Sequence, residues 1–178
     1  MAEKKEKPKT AFLIIDMIND FVHPDGTLVA AGAKEIIPNI KRRREEAKKQ
    51  GIPIIYLSDT HDPRDSEFRS WPEHGVKGSW GAQVVDELAP EEGDYALPKR
   101  RYSAFFSTEL DLLLRELKIE RVILTGTLTN ICIFCTAIDA YMRGYQIVVP
   151  RDSVVALTPE EHEFALKQME KFLSAEVV

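Results

Sequence analysis

The sequence predicts an α/β protein: a three-layer α/β/α sandwich with a mostly parallel, Rossmann-like central sheet. Three observations carry this. The chain has 178 residues, 44% hydrophobic and 30% charged, enough for one full-sized core. Short apolar runs alternate along it with amphipathic, helix-like segments. The runs are apolar throughout, as strands covered on both faces must be, and right-handed crossovers then place helices on both sides of the sheet.

Residues 1–9 (MAEKKEKPK) read as a disordered charged tail and 10–178 as a single domain. Thr10 to Ile15 (TAFLII) is a strand that stops at Asp16. Ala33 to Gln50 is a charged amphipathic helix ended by Gly51. Its run Lys41-Arg42-Arg43-Arg44-Glu45-Glu46 mixes signs and reads as a salt-bridged outer face. Ile52 to Leu57 is the second strand, and the Pro- and Gly-rich Thr60 to Gly81 is a long loop of the kind that carries function. A short helix at Gln83 to Leu88 and a brief strand at Tyr95 to Leu97 follow. Thr108 and Asp111 form a capping box for a helix from Glu109 to Leu117. Arg121 to Thr125 is a strand, then come Gly126, a helix over about residues 130–143 and a strand at Gln146 to Val149. Thr158, Pro159 and Glu161 open the last helix as N-cap, N1 and N3.

Composition also excludes function classes. The net charge of -5 lacks the basic balance of a nucleic-acid binder. No apolar run approaches the roughly 20 residues of a membrane helix. The charged start has no apolar signal core, so the expected location is cytoplasmic. Two cysteines, Cys132 and Cys135, make neither a disulfide scaffold nor a four-cysteine zinc site. His23 and His162 have no visible partner and read as solvated surface.

Ligands of an open parallel sheet bind outside the carboxyl ends of its strands. Here those ends deliver Asp16, then Asp59 and His61, then Lys99, then Gly126 followed by Cys132. Taken singly, each has a bland reading as turn residue, solvated lysine or small core residue. Together they bring a thiol, a carboxylate and an ammonium to one edge. At 100° per residue Cys132 shares a polar stripe with Thr136, Asp139 and Arg143. Cys135 falls towards Ile131, Ile138 and Met142 and is expected in the core. Backbone N–H groups of the first helical turn are expected to lower the Cys132 pKa. The trio suits attack on an amide carbonyl, with Cys132 as nucleophile, Asp16 as general acid–base and Lys99 as electrostatic support. Two backbone N–H groups at the turn would hold the oxyanion, each typically worth about 3 kcal/mol.

Asp16-Met17-Ile18-Asn19-Asp20-Phe21, Lys99 within PKRRYSAF, and GTLTNIC followed by TAIDA at Thr136 resemble the isochorismatase-like cysteine hydrolases. The resemblance implies that Cys132 is the nucleophile and that a non-proline cis peptide lies at Thr127–Leu128. It further implies that the N–H groups of Leu128 and Cys132 form the oxyanion hole. Asp59-Thr60-His61 with Trp71-Pro72-Glu73-His74 looks like the metal signature of the nicotinamidase branch. That implies a divalent ion, zinc first and iron or manganese as alternatives, on Asp59, His61 and His74. A carboxylate and an imidazole two residues apart, with a second imidazole returned by a loop, can share such an ion. Glu67 lies where some members supply a further ligand. Phe21 and Trp71 match positions that sandwich an aromatic substrate ring. Gly75 departs from that branch, which commonly has cysteine there. The resemblance also implies a homo-oligomer acting on a small-molecule amide, nicotinamide first. The alternatives are another amide or carbamoyl compound (N-carbamoylsarcosine, ureidoacrylate, maleamate), a CxxC dithiol oxidoreductase, and a binding protein on an inactive hydrolase fold.

Overall fold

The computed structural model describes residues 9–178, so the expected tail, apart from Lys9, lies outside the described residues. Seven strands form one parallel sheet: β1 (Thr10–Ile15), β2 (Ile54–Asp59), β3 (Tyr95–Lys99), β4 (Arg121–Thr127), β5 (Gln146–Val149), β6 (Val154–Val155) and β7 (Glu176–Val177). Their order is β3-β2-β1-β4-β5-β7, and β6 pairs with the end of β4. Among the described residues five α-helices accompany them: α1 (Asn19–Val22), α2 (Ile37–Lys49), α3 (Leu110–Glu116), α4 (Phe134–Met142) and α5 (Pro159–Leu173). No helix among the described residues is long and apolar enough to cross a membrane.

Alternation along each strand builds the three layers. Ala11, Leu13 and Ile15 of β1, with Ile55 and Leu57 of β2, join the core formed with Leu110 and Leu114 of α3, Ala137 of α4 and Leu166 of α5. Phe12, Ile14, Ile54 and Tyr56 face the other way, against Ile37, Ile40 and Ala47 of α2. Each fully buried Leu, Ile or Phe side chain contributes about 1.5–3 kcal/mol. The register sets Leu13 between Ile55 and Leu124. Because β1 has β2 on one side and β4 on the other, strand order reverses there, and a crevice opens beyond the ends of β1 and β4.

Several expected elements are corrected. The segment at Gln83 to Leu88 is not a helix; Val84 bridges to Ile18 and only Asp86–Leu88 makes a 3₁₀ turn. The capping box at Thr108 does not form, since the helix starts at Leu110 and Thr108 Oγ1 accepts from the Leu110 N–H. Asp111 accepts instead from the Tyr145 hydroxyl at 2.9 Å. The N-cap of α5 is as read, with Thr158 accepting from the Glu161 N–H at 3.2 Å. The helix expected at 130–143 is a π-helical turn over Thr129–Ile133 running into α4. Strand β2 begins at Ile54 and β3 continues to Lys99 as an edge strand, which tolerates Pro98.

Arg44 departs from the expected solvated face. The buried stripe of α2 is Ile37, Ile40, Arg44 and Ala47, a helical spacing that carries one arginine of the run inwards. Its guanidinium donates to Tyr56 Oη at 3.0 Å and to the Ala89 carbonyl at 3.2 Å, and it pairs with Glu91 at 3.0 Å.

Candidate active site

Asp16 follows β1 in the left-handed region, at φ 56°, a conformation that aspartate tolerates better than most residues. Three contacts hold it there. Its N–H donates to the Leu57 carbonyl at 2.9 Å, and its carbonyl accepts from Thr127 Oγ1 at 3.0 Å. Its Oδ1 accepts from the Asp59 N–H at 2.9 Å. Neighbouring Gly126 is required: a Cβ there would meet the Ile15 carbonyl oxygen at 1.9 Å. The peptide Thr127–Leu128 is cis, as expected.

Lys99 sits at the centre of the buried site. Its Nζ lies 2.8 Å from Asp16 Oδ2, 2.7 Å from Asp59 Oδ1, 3.1 Å from the Arg101 carbonyl and 3.6 Å from Cys132 Sγ. Burial and then the Asp59 charge push the Asp16 carboxyl up to about 7 against the pull of Lys99. Burial would also raise Asp59, but Lys99 and His61 outweigh it and hold Asp59 at about 2. Lys99 stays charged, because Asp16, Asp59 and Cys132 overcome its desolvation. For Cys132 the sequence expectation is reversed: burial, only partly countered by Lys99, holds the thiol well above its ordinary pKa. Burial thus favours the neutral thiol and raises the carboxyl beside it.

Asp59, His61 and His74 converge, with one donor atom from each within 4.8 Å of the others. His61 Nε2 and His74 Nε2 lie 3.6 and 3.8 Å from Asp59 Oδ2. Ligand atoms about 2.0–2.1 Å from a tetrahedral zinc stand roughly 3.4 Å apart, close to these separations. His74 Nδ1 is 2.6 Å from the Pro72 carbonyl, which only accepts, so Nδ1 carries the proton and Nε2 is free to ligate. His61 Nε2 is buried with no hydrogen-bond partner. The donor set and the orphaned nitrogen fit a divalent ion. Gly75 holds this loop: its φ is 54°, a Cβ would crowd the Asp59 carbonyl oxygen at 2.9 Å, and its N–H donates to Asp20 Oδ2 at 2.8 Å. Those constraints account for glycine at that position.

Cys132, Asp59 and His74 open onto one pocket, walled by Phe21, Trp71, Tyr102, Leu128 and Leu157 and rimmed by Glu67. The Phe21 ring stands 5.3 Å from the His74 ring. Trp71 Nε1 donates to Tyr102 Oη at 3.0 Å. All the residues expected at the site are thus gathered at one strand edge. Tyr102 and Asp65 were missed; Tyr102 lies inside the PKRRYSAF stretch, and Asp65 has no sequence signal.

The two cysteines are unpaired and distinct. Cys132 is buried among Lys99 and its partners, whereas Cys135 is half-buried and not in the core as expected. The π turn breaks the 100° phase on which that expectation rested. His162 is not solvent-facing alone, since its Nδ1 lies 2.9 Å from Thr129 Oγ1 at the start of the turn that carries Cys132. His23 is exposed, edge-on to Trp80 at 5.0 Å.

The chain is similar to known proteins over nearly its whole described length. The isochorismatase domain family matches residues 10–178. The structure resembles the nicotinamidase/pyrazinamidase PncA of Bacillus subtilis at TM-score 0.90 and 34% identity, over 96% of this chain and 99% of that one. The N-carbamoylsarcosine amidase of Thermoplasma acidophilum aligns at TM-score 0.88 and 36% identity, over 95% of each chain. A pyrazinamidase of Pyrococcus horikoshii, solved in complex with zinc, aligns at TM-score 0.90 and 30% identity, over 96% of this chain and 99% of that one.

Proposed function

Since the chain belongs to the isochorismatase family, we propose that it is a metal-assisted cysteine amidohydrolase that converts nicotinamide to nicotinate and ammonia. The observation that carries the choice of substrate is the pocket lining. Among the described residues it holds the acidic Asp59 and Glu67 and aromatic walls, but no arginine or lysine. Lys99 below it is engaged by Asp16 and Asp59. N-carbamoylsarcosine, maleamate and ureidoacrylate each carry a carboxylate, and Arg101, a cation outside the lining, is already engaged by Glu67 at 3.5 Å and by Asp65. A neutral aromatic amide suits the walls formed by Phe21 and Trp71.

The chemistry follows from the proton inventory. Asp16 takes the Cys132 thiol proton as Sγ attacks the amide carbon, and returns it to the leaving nitrogen as the C–N bond breaks. Ammonia departs and a thioester to Cys132 remains. Asp16 then deprotonates a water that attacks this thioester, and the proton returns to Sγ with release of the carboxylic acid. Lys99 keeps both buried carboxylates in place and offsets the negative charge that develops beside them. The N–H groups of Leu128 and Cys132 serve the oxyanion. Asp59, His61 and His74 would hold a divalent ion, zinc first, which would supply positive charge and Lewis acidity beside Cys132. Support for zinc comes from the donor set and from the zinc-bound pyrazinamidase relative.

Relative kcat/KM of the zinc-loaded protein for nicotinamide, N-carbamoylsarcosine and maleamate tests the proposal. Nicotinamide is expected to lead by at least about a hundredfold. A lead for either carboxylate-bearing compound would overturn it.

A further inference from the structure

We propose that Asp65 is a positioning residue for the metal centre, holding the Nδ1 proton of His61 so that Nε2 faces the ion. The inference rests on the metal centre of the reading above. The Asp65 side chain is wholly buried, and its Oδ2 lies 3.1 Å from His61 Nδ1. An ionised carboxylate only accepts hydrogen bonds, so Nδ1 carries the proton and the lone pair belongs to Nε2. Nε2 is the buried atom with no hydrogen-bond partner, 3.6 Å from Asp59 Oδ2.

The rest of the Asp65 environment surrounds it with donors and fixes it in place. Its Oδ2 also accepts from Arg100 Nε at 3.0 Å and Nη2 at 2.7 Å. Its Oδ1 accepts from the Glu67 N–H at 3.1 Å and from Arg101 Nη1 at 3.2 Å. These four donors, with the His61 imidazole, surround the carboxylate and use it as an acceptor. With both oxygens occupied by donors, Asp65 is poorly placed to ligate an ion itself alongside His61 and Glu67. Arg100 and Arg101 directly follow Lys99 at the end of β3. One carboxylate thereby ties the imidazole to the strand that carries the central ammonium. His74 gets the same service from the Pro72 carbonyl, a backbone group, so His61 is the ligand whose orientation depends on a side chain. Outer partners of metal-bound histidines typically control affinity about ten- to a hundredfold.

The test uses the full-length protein stripped of metal, with zinc affinity read by chelator competition and geometry by the visible spectrum of the cobalt(II) form. Asp65→Ala is expected to weaken zinc about ten- to a hundredfold and to alter the cobalt spectrum. Asp65→Asn keeps an acceptor for Nδ1–H without the charge, so it should recover part of the loss and guards against an Ala variant that fails to fold. Zinc affinity and a cobalt spectrum unchanged in both variants, with wild-type zinc binding intact, would overturn the inference alone. Absence of zinc binding by the wild type would overturn the metal centre and this inference with it.

Discussion

Lys99 Nζ lies 2.7 Å from Asp59 Oδ1, while the other oxygen of Asp59 faces His61 and His74. One carboxylate therefore serves both halves of the site, countering the buried ammonium on one side and closing the donor set on the other. Asp59→Asn should weaken zinc at least about tenfold. It should also lower kcat/KM for nicotinamide by about a hundredfold or more, because Lys99 keeps only Asp16 as countercharge. Chelator competition and ammonia release read the two effects. Normal values for both would show that Asp59 joins nothing.

The aromatic wall is held by a hydrogen bond from Trp71 Nε1 to Tyr102 Oη at 3.0 Å. Tyr102→Phe removes the acceptor and should cost about 1 kcal/mol of substrate binding, or about fivefold in KM, with kcat within about twofold. Steady-state kinetics separate the two. A fall in kcat with unchanged KM would mean that Tyr102 acts in the chemistry instead.

Arg44 is a stability residue, buried between α2 and β2 and bonded to Tyr56 Oη and the Ala89 carbonyl. Arg44→Met leaves both acceptors without that donor and should cost about 2–4 kcal/mol in urea unfolding. Adding Tyr56→Phe should restore part of the loss. A loss below about 0.5 kcal/mol would place this arginine among ordinary surface charges.

Tyr145 supplies a pH signature away from the site. Burial and its hydrogen bond to Asp111 push the phenol up to about 12. A folded pKa above the unfolded value of about 10 means that the stabilisation is fully present below pH 10 and is lost as pH rises through 12. The stability difference between wild type and Tyr145→Phe should therefore be about 1 kcal/mol at pH 8 and shrink by pH 11. A gap that widens over this range contradicts the assignment.

Asp16, Asp59, His61, Lys99 and Cys132 were legible because each follows a short apolar run that stops abruptly, and parallel strands collect their carboxyl ends at one edge. His74, Phe21, Trp71 and Leu128 came from motif resemblance alone. Asp65 was not legible, since its role arises from three cationic or imidazole partners, two of them more than thirty residues away. Arg44 was misread because a charge run hides which member falls on the inner stripe of its helix. Cys135 was misplaced by a π turn that no periodicity announces. The two-residue strands β6 and β7 are too short to leave a pattern.

The central claim is that Cys132 carries the acyl group while Cys135 does not take part. Ammonia release from nicotinamide by zinc-loaded wild type, Cys132→Ala and Cys135→Ser, each checked for folding, tests it most directly. The expected result is turnover by the wild type, a loss of at least about a thousandfold in Cys132→Ala, and a rate within about twofold in Cys135→Ser. Turnover surviving in Cys132→Ala, or no ammonia from the wild type, would contradict it.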